Sequence, residues 1–301
     1  MEGESLVFCA LSWYLFSTCH TVVDQNFYLD YPCPLTISLS HMFVNQFGLA
    51  LVAYLAGADQ ILLSKSHIKP VLCLAAFKVA VSTFSHYTAL FLTVPLMEAL
   101  KAMSPIFVVT VTKFCFGASY SNGVYFSLPL MITGAVSATL TQTKIVYNGL
   151  LTSFLMVCAS QSQNIYLKQS YHNVSLHPLA LLSNVHMFAF LMILPIWIVV
   201  DLPVLMASEM LHEKPLEFVL TFLVQGCLST VTHTLKGFLL PNCSSLTYSV
   251  MENGKSLTKV IIGFVRYQKP TGVINVLGTF VAVFGVFCYA HARNDKKVKS
   301  N

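Results

Sequence analysis

The chain has 301 residues, of which 55% are hydrophobic and only 10% charged, and its formal net charge at pH 7 is +5. Soluble domains carry about 25% charged residues, so this composition excludes an ordinary soluble protein and indicates an integral membrane protein. The positive balance is not typical of a nucleic-acid-binding protein, because no basic surface with interleaved aromatic residues lies outside the apolar runs.

Ten apolar runs follow one another along the chain, each close to the ~20 residues that a helix needs to cross the hydrocarbon core. Backbone polar groups cannot stay unpaired in lipid, so each run is predicted to be a helix. The predicted spans are Leu6–Val23, Pro34–Ala56, Pro70–Leu90, Thr93–Phe114, Asn122–Thr141, Tyr147–Lys168, Pro178–Val200, Pro215–Leu239, Ser245–Val265 and Thr271–His291.

No soluble domain or linker interrupts the spans, so residues 1–301 are predicted to form a single membrane unit. Its halves fall roughly at 1–141 and 147–291, and a basic tail follows at 292–301. The third and fourth spans are nearly fused, and Asp201–Lys214 is expected to form the one longer loop.

Ten spans place both termini on the same side of the membrane. With the termini in the cytosol, eight Lys and Arg residues face the cytosol and four face the other side, as the positive-inside rule favours. The tail ends in KVKSN, which resembles a dilysine retrieval signal, so we expect a multi-pass protein of the Golgi or endoplasmic reticulum. Plain positive-inside charge is the alternative for these lysines. The sequons at Asn173 and Asn242 fall on the cytosolic side and are expected to be unmodified.

The motifs of soluble catalysis are missing from the sequence. It contains no Walker motif, no GxSxG, no HExxH and no Ser–His–Asp arrangement, and its nine cysteines show neither a CxxC pair nor metal-ligand spacing. We therefore predict that the protein is not an enzyme and that it has no cofactor and no bound metal.

Two of the apolar spans share a charged motif. MEALKAM at 97–103 and MENGKSL at 251–257 both read Met-Glu-x-x-Lys, and they begin 154 residues apart. Each is followed by a span with a late glycine, Gly134 and Gly285. Such weak internal symmetry is typical of transporters built from two halves. Five spans per half would make the halves inverted relative to each other in the membrane.

The charges within these motifs need an explanation, because a charge at the centre of a bilayer costs at least about 2.5–3.5 kcal/mol. Glu98 shares a helix face with Lys101, and Glu252 shares one with Lys255. Two lysines on repeat-related helices could hold one anionic solute, and a lysine suits phosphate. Alternatively, each Glu–Lys pair neutralises itself and stabilises helix packing. Both interpretations stay open.

Three stretches, ALKAMSP, QNIYLKQSY and SSLTYSVMENGKSLTKVIIGFVRYQKPTGVINVLGTFVAVFGVFCYA, resemble the triose-phosphate translocator branch of the drug/metabolite transporter superfamily. Within that branch they are similar to solute carrier family 35 subfamily E, and the resemblance covers nearly the whole chain. It implies an all-α membrane protein of ten helices in two inverted five-helix halves. The implied function is a secondary antiporter of a nucleotide sugar or other phosphorylated sugar that works by alternating access.

The resemblance also implies partners and site residues. The partners are a phosphate-bearing anionic solute, its counter-substrate and the lipid bilayer, with no nucleic acid, while a homodimer stays open. Lys101 and Lys255 correspond to the lysines that hold the phosphate in this family. Ser85 corresponds to a phosphate-binding threonine, and Thr232 to a tyrosine.

Several positions depart from the family pattern. Ser256 stands where an arginine is usual, Glu252 replaces an asparagine and Glu98 a histidine. The anion site is therefore expected to be less positive, which motivates the alternative of a transport-inactive scaffold or regulator. Lys259 follows Lys255 on the same helix stripe and could restore the missing charge, or its side chain could extend toward a membrane interface.

Three further polar side chains are predicted at the depth of these lysines. His86, His233 and Tyr248 are candidates for the substrate site. The alternative for an intramembrane histidine is a hydrogen bond between helices. Lys78 also lies deep within a predicted span.

Overall fold

The computed structural model describes residues 3–30, 33–58, 67–92, 94–101, 106–107, 109–110, 113–114, 119–139, 147–173, 176–242, 251, 255–256, 258–259, 262 and 273–299. Its helices are α1 (Gly3–Asp30), α2 (Pro34–Leu55), α3 (Ile68–Phe91), α4 (Val94–Lys101), α5 (Asn122–Thr139), α6 (Tyr147–Asn173), α7 (Pro178–Met206), α8 (Glu209–Glu213), α9 (Pro215–Asn242) and α10 (Val273–Lys299). Residues 106–107, 109–110, 113–114, 251, 255–256, 258–259 and 262 are also helical.

Five helices within the described residues, α1, α2, α3, α7 and α9, are long and apolar enough to cross a membrane. Large apolar side chains on them face outward, among them Phe8, Leu55 and Val199. An all-helical chain with such surfaces is typical of a multi-pass membrane protein. The count of ten spans stays a prediction.

The nearly fused third and fourth spans are two separate helices. Leu92 ends α3 in an extended conformation, with φ −116° and ψ 151°. α4 then begins at Val94, and Pro95 is its second residue. A proline there sacrifices no helical hydrogen bond, because the first turn of a helix has no backbone partner for its N–H groups.

The prediction that a loop begins at Asp201 was wrong. α7 continues to Met206, and Asp201 is buried within it. One Asp201 carboxylate oxygen, Oδ2, accepts hydrogen bonds from the backbone N of Thr36 at 2.8 Å and from its Oγ1 at 3.1 Å. Trp197 Nε1 donates to the same Oγ1 at 3.0 Å. The Asp201 carboxylate therefore accepts hydrogen bonds at the N-terminus of α2, where the helix dipole favours an anion.

The helix contacts form related pairs. α2 packs on α7, and α5 packs on α10. The contact of α3 with α6 has a counterpart in α9 with α1, and the contact of α3 with α7 has one in α9 with α2. The contact of α2 with α3 likewise corresponds to that of α7 with α9. If each of the first five predicted spans is exchanged with its counterpart among the last five, every contact named here becomes itself or another contact in the same set.

The crossing of α5 and α10 is close because glycines line it. A Cβ built on Gly134 would lie 2.6 Å from Ala282 Cα and 2.8 Å from Gly278 O. One built on Gly285 would lie 2.9 Å from the backbone N of Met131. Small residues let helix backbones approach in membranes, where dispersion contacts replace the hydrophobic effect as the main driving force.

Candidate functional site

Glu98 in α4 is the centre of a polar cluster that joins the first Met-Glu-x-x-Lys motif to the residues just after the second one. Its side chain is only 3% exposed. Ser256 Oγ donates a hydrogen bond to Glu98 Oε2 at 2.9 Å. Lys101 Nζ lies 3.1 Å from Glu98 Oε1, and Lys259 Nζ lies 4.0 Å from the same oxygen. One hydroxyl group and two ammonium groups, from two distant parts of the chain, thus lie around one carboxylate.

Local helix geometry explains part of this arrangement. Glu98 and Lys101 are three residues apart on α4, so their side chains share a face, and the predicted contact between them is confirmed. Ser256 and Lys259 are also three residues apart in helical backbone. Both therefore reach Glu98 from the same side of their helical stretch.

Lys255 has a different neighbour. Its Nζ stands 4.2 Å from the centroid of the Trp13 ring, within the range of a cation–π interaction. Trp13 is buried in α1 and packs in an apolar cluster with Ala10, Leu239 and Met251. The predicted stripe of charges is therefore divided, since Lys259 reaches Glu98 while Lys255 faces α1.

The charges in this cluster do not cancel pair by pair. Glu98 supplies one negative charge, and Lys101 and Lys259 supply two positive ones, which leaves one positive charge in excess among these three residues. The side chain of Lys101 is 30% exposed and that of Lys259 14%. Both lysines are therefore more accessible than the carboxylate that they share.

A second polar group joins α3 to α9. Lys78 Nζ lies 3.3 Å from His233 Nε2, and His233 Nδ1 lies 3.0 Å from the carbonyl oxygen of Ser229. A carbonyl can only accept, so Nδ1 carries the hydrogen and Nε2 accepts from Lys78. The His186 ring lies 5.1 Å from that of His233. His233 thus makes the interhelical hydrogen bond that was the alternative to a substrate contact.

The other predicted residues that the structure describes make contacts of their own. His86 Nδ1 is hydrogen-bonded to Tyr28 OH, which links α3 to α1, and Ser85 precedes His86 in α3. Thr232 Oγ1 donates to the carbonyl of Ser229 in its own helix at 2.8 Å. Glu252 and Tyr248 lie outside the described residues.

Sequence reasoning did not single out Trp13 or the group formed by His20, Asp24 and His41, whose ligating atoms converge. His20 and Asp24 are four residues apart, a spacing that places two side chains on one helix face. That spacing is a usable signal. No sequence pattern indicates Trp13, because its contact with Lys255 depends on packing between distant segments.

Comparison with known proteins agrees with this architecture. The model of the Triose-phosphate Transporter family matches residues 4–290. Phosphoenolpyruvate/phosphate translocator 3, chloroplastic, of Oryza sativa subsp. japonica is 23% identical, over 98% of this chain and 76% of its own length. Glucose-6-phosphate/phosphate translocator 2, chloroplastic, of Arabidopsis thaliana is 24% identical, over 72% of this chain and 58% of its own.

The fold also has a counterpart among solved structures. A crystal structure superposes with a TM-score of 0.64, over 98% of this chain and 99% of the other, at 8% identity. This likeness shows the fold alone. The family match covers nearly every residue, confirms the resemblance drawn from the sequence and supports, at the level of the family, a transporter rather than an enzyme. The chain belongs to the triose-phosphate transporter family.

Proposed function

We propose that this protein is a secondary antiporter that exchanges a nucleotide sugar or other phosphorylated metabolite for a second anion. The relatives named above are translocators of phosphoenolpyruvate or glucose 6-phosphate against phosphate, and they support a phosphate-bearing solute here. The proposed site includes Lys101, Lys255, Ser256 and Lys259, with Glu98 as the residue that positions two of the lysines.

The sharing of the Glu98 carboxylate by Lys101 and Lys259 is the observation that carries this proposal. If each lysine were only neutralised by its own glutamate, Glu98 would have one cationic partner, yet Lys101 and Lys259 share it. Holding two ammonium groups against one carboxylate is costly inside a membrane, and a bound anion lowers that cost. Reorientation is then easier for the loaded site than for the empty one, which is the condition for exchange.

The paired helix contacts support the mechanism. Transporters with inverted repeats alternate access by moving one group of helices against another around a site near the membrane centre. We propose ten spans in two inverted five-helix halves, with the fourth and ninth spans supplying Glu98 and Ser256. The direct contact of these two residues supports a site where the halves meet.

The test of function uses purified protein in proteoliposomes loaded with phosphate and supplied with labelled nucleotide sugars and sugar phosphates. Lys101→Gln and Lys255→Gln are each expected to abolish exchange without lowering the yield of folded protein. Lys214→Gln is the matched control, because Lys214 forms an exposed pair with Glu217 at the same three-residue spacing. Lower yield with intact exchange in the surviving Lys101→Gln protein would instead support a packing role.

A transport-inactive scaffold is the second candidate. The hydrogen bond from Ser256 to Glu98 favours a scaffold, because a neutral side chain here occupies one oxygen of the carboxylate. Absence of exchange for every solute in the wild-type protein, with normal folding, would support the scaffold and contradict the antiporter.

We further propose an endomembrane location, with both ends of the ten-span unit in the cytosol, as the distribution of Lys and Arg favours. Asn173, the last residue of α6, would then be cytosolic and unglycosylated. Expression in mammalian cells followed by glycosidase treatment tests this arrangement. A glycosidase-sensitive mass shift mapped to Asn173 would invert the topology.

A further inference from the structure

Three metal-ligating side chains converge where α1 approaches α2. The Nε2 atoms of His20 and His41 are 3.0 Å apart. Asp24 Oδ2 lies 3.6 Å from His20 Nε2, and Asp24 Oδ1 lies 3.4 Å from His41 Nε2. His20 and Asp24 are one helical turn apart on α1, and His41 faces them from the first half of α2.

Hydrogen bonds alone do not satisfy this group. At 3.0 Å the two Nε2 atoms have room for one hydrogen between them. The ring that accepts this hydrogen carries no hydrogen on its Nε2, so it cannot donate to Asp24. The distances from the Asp24 oxygens to the two Nε2 atoms, 3.4 and 3.6 Å, are also longer than those of normal N–H···O bonds. Asp24 Oδ1 is accordingly buried without a hydrogen-bond partner. Three electron-pair donors thus face one point with a single shared proton.

The distances match the ligand shell of a small divalent ion. Bonds of about 2.0–2.1 Å to His nitrogen and carboxylate oxygen in tetrahedral geometry separate the ligand atoms by about 3.3–3.4 Å. The two Nε2 atoms are 3.0 Å apart, and each lies 3.4–3.6 Å from a different oxygen of the Asp24 carboxylate. One ligand atom from each residue lies within 4.8 Å of the other two, so a small rotation of the carboxylate suffices to form the shell. Three protein ligands would leave a fourth position for water or a solute, as in zinc sites that keep an open position.

We propose that His20, Asp24 and His41 bind one divalent transition-metal ion of the zinc class. The ion takes the place of the hydrogen between the two Nε2 atoms, the ring that carried this hydrogen holds its proton on Nδ1 instead, and the Asp24 carboxylate offsets one of the two charges of the ion. Imidazole and carboxylate ligands suit zinc better than Mg²⁺ or Ca²⁺, which favour sites made of oxygen ligands alone.

The surroundings fit a site that fastens α1 within the bundle. α1 and α2 both pack against α9, and the metal would join them directly. The His86 ring lies 5.2 Å from that of His41, and its hydrogen bond to Tyr28 makes a second link to α1. Metal bound to these ligands would stabilise the folded state by mass action.

The test measures metal directly and needs no transport assay. Full-length protein, purified in detergent with its affinity tag removed, is stripped with a chelator, equilibrated with Zn²⁺ and freed of excess ion. Elemental analysis is expected to find one Zn²⁺ per chain, and Zn²⁺ is expected to raise the unfolding temperature while Mg²⁺ does not. Loading with Co²⁺ should give the visible absorption of tetrahedral cobalt.

Variants locate the site. His20→Gln and His41→Gln should each weaken Zn²⁺ binding by more than the ~10–100-fold that loss of an outer-shell partner costs. His41→Cys, which keeps a ligand, should retain the ion. His186→Gln is the matched control, because His186 is a buried histidine that belongs to the group around His233.

Two results would overturn the proposal. One is a folded wild-type protein that holds no more Zn²⁺ than its His41→Gln variant. The other is equal loss of Zn²⁺ in His186→Gln. The first result, together with a changed pH dependence of exchange in His41→Gln, would assign the group to proton transfer.

Discussion

Glu98 holds two lysines by serving as their shared counter-charge. Its buried carboxylate accepts from Ser256 and contacts Lys101 and Lys259. Each lysine therefore depends on the same anion for its position. Removing one of them changes both the charge of the cluster and the environment of the other.

Replacement of Lys259 tests this dependence. Lys259→Ala removes one of the two ammonium groups that contact Glu98, so we expect the apparent affinity for the phosphorylated solute to fall at least about tenfold, or ~1.4 kcal/mol. Adding Ser256→Arg should restore part of the affinity, because a guanidinium would then face Glu98. Initial rates of exchange across a range of solute concentrations measure both effects. An unchanged affinity in Lys259→Ala would remove Lys259 from the site.

The sequence predicts only the local half of this cluster. The contact of Glu98 with Lys101 follows from their spacing on one helix. The hydrogen bond from Ser256 to Glu98 spans 158 positions in the chain and depends on how the helices pack. The motif repeat indicated that the two segments are related, but it could not assign Lys259 to Glu98 and Lys255 to Trp13.

At the scale of the helices, a carboxylate on one helix accepts hydrogen bonds from the first turn of another. Asp201 near the end of α7 accepts two hydrogen bonds from Thr36 in the first turn of α2. The sequence predicted a loop from Asp201 onward, because an acid after an apolar run usually marks the end of a span. The cost of burying Asp201 is offset by the unpaired N–H groups and the dipole of α2.

Truncating this acid should destabilise the protein. Asp201→Ala removes the acceptor of Thr36 Oγ1 and leaves the backbone N–H of Thr36 only its 3.2 Å hydrogen bond to Cys33 O, at a cost of ~1–3 kcal/mol. Asp201→Asn keeps an accepting oxygen and should cost less. Thermal unfolding in detergent measures the order, with Glu213→Ala on α8 as an exposed acidic control. Equal stability of Asp201→Ala and the wild type would contradict the capping role.

At the scale of the whole molecule, the crossing of α5 and α10 depends on the absence of side chains. The sequence singled out Gly134 and Gly285 as late glycines in repeat-related spans, and the structure places both at this crossing. Composition and periodicity predicted the all-helical class because apolar runs in lipid have few alternatives. They could not predict which helices meet, since packing between apolar surfaces leaves little trace in the pattern of one chain.

Adding a single methyl group at this crossing should lower the stability of the protein. Gly134→Ala would place a Cβ against the backbone of Ala282, so we expect a loss of ~1–3 kcal/mol through overpacking. Val136→Leu, on the same helix at a position that is 48% exposed, should change stability by less than ~0.5 kcal/mol. Thermal unfolding of the purified variants gives both values. A Gly134→Ala protein as stable as Val136→Leu would show that α5 and α10 separate without penalty.

The shared carboxylate of Glu98 has an electrical consequence for the proposed exchange. The total charge of Glu98, Lys101 and Lys259 stays the same whichever solute the site holds. Exchange of two solutes of unequal charge would then move net charge across the bilayer, and each elementary charge is worth ~2.3 kcal/mol per 100 mV. The resting voltage of the host membrane could therefore bias the direction of exchange about fiftyfold per 100 mV, without any change in solute concentration.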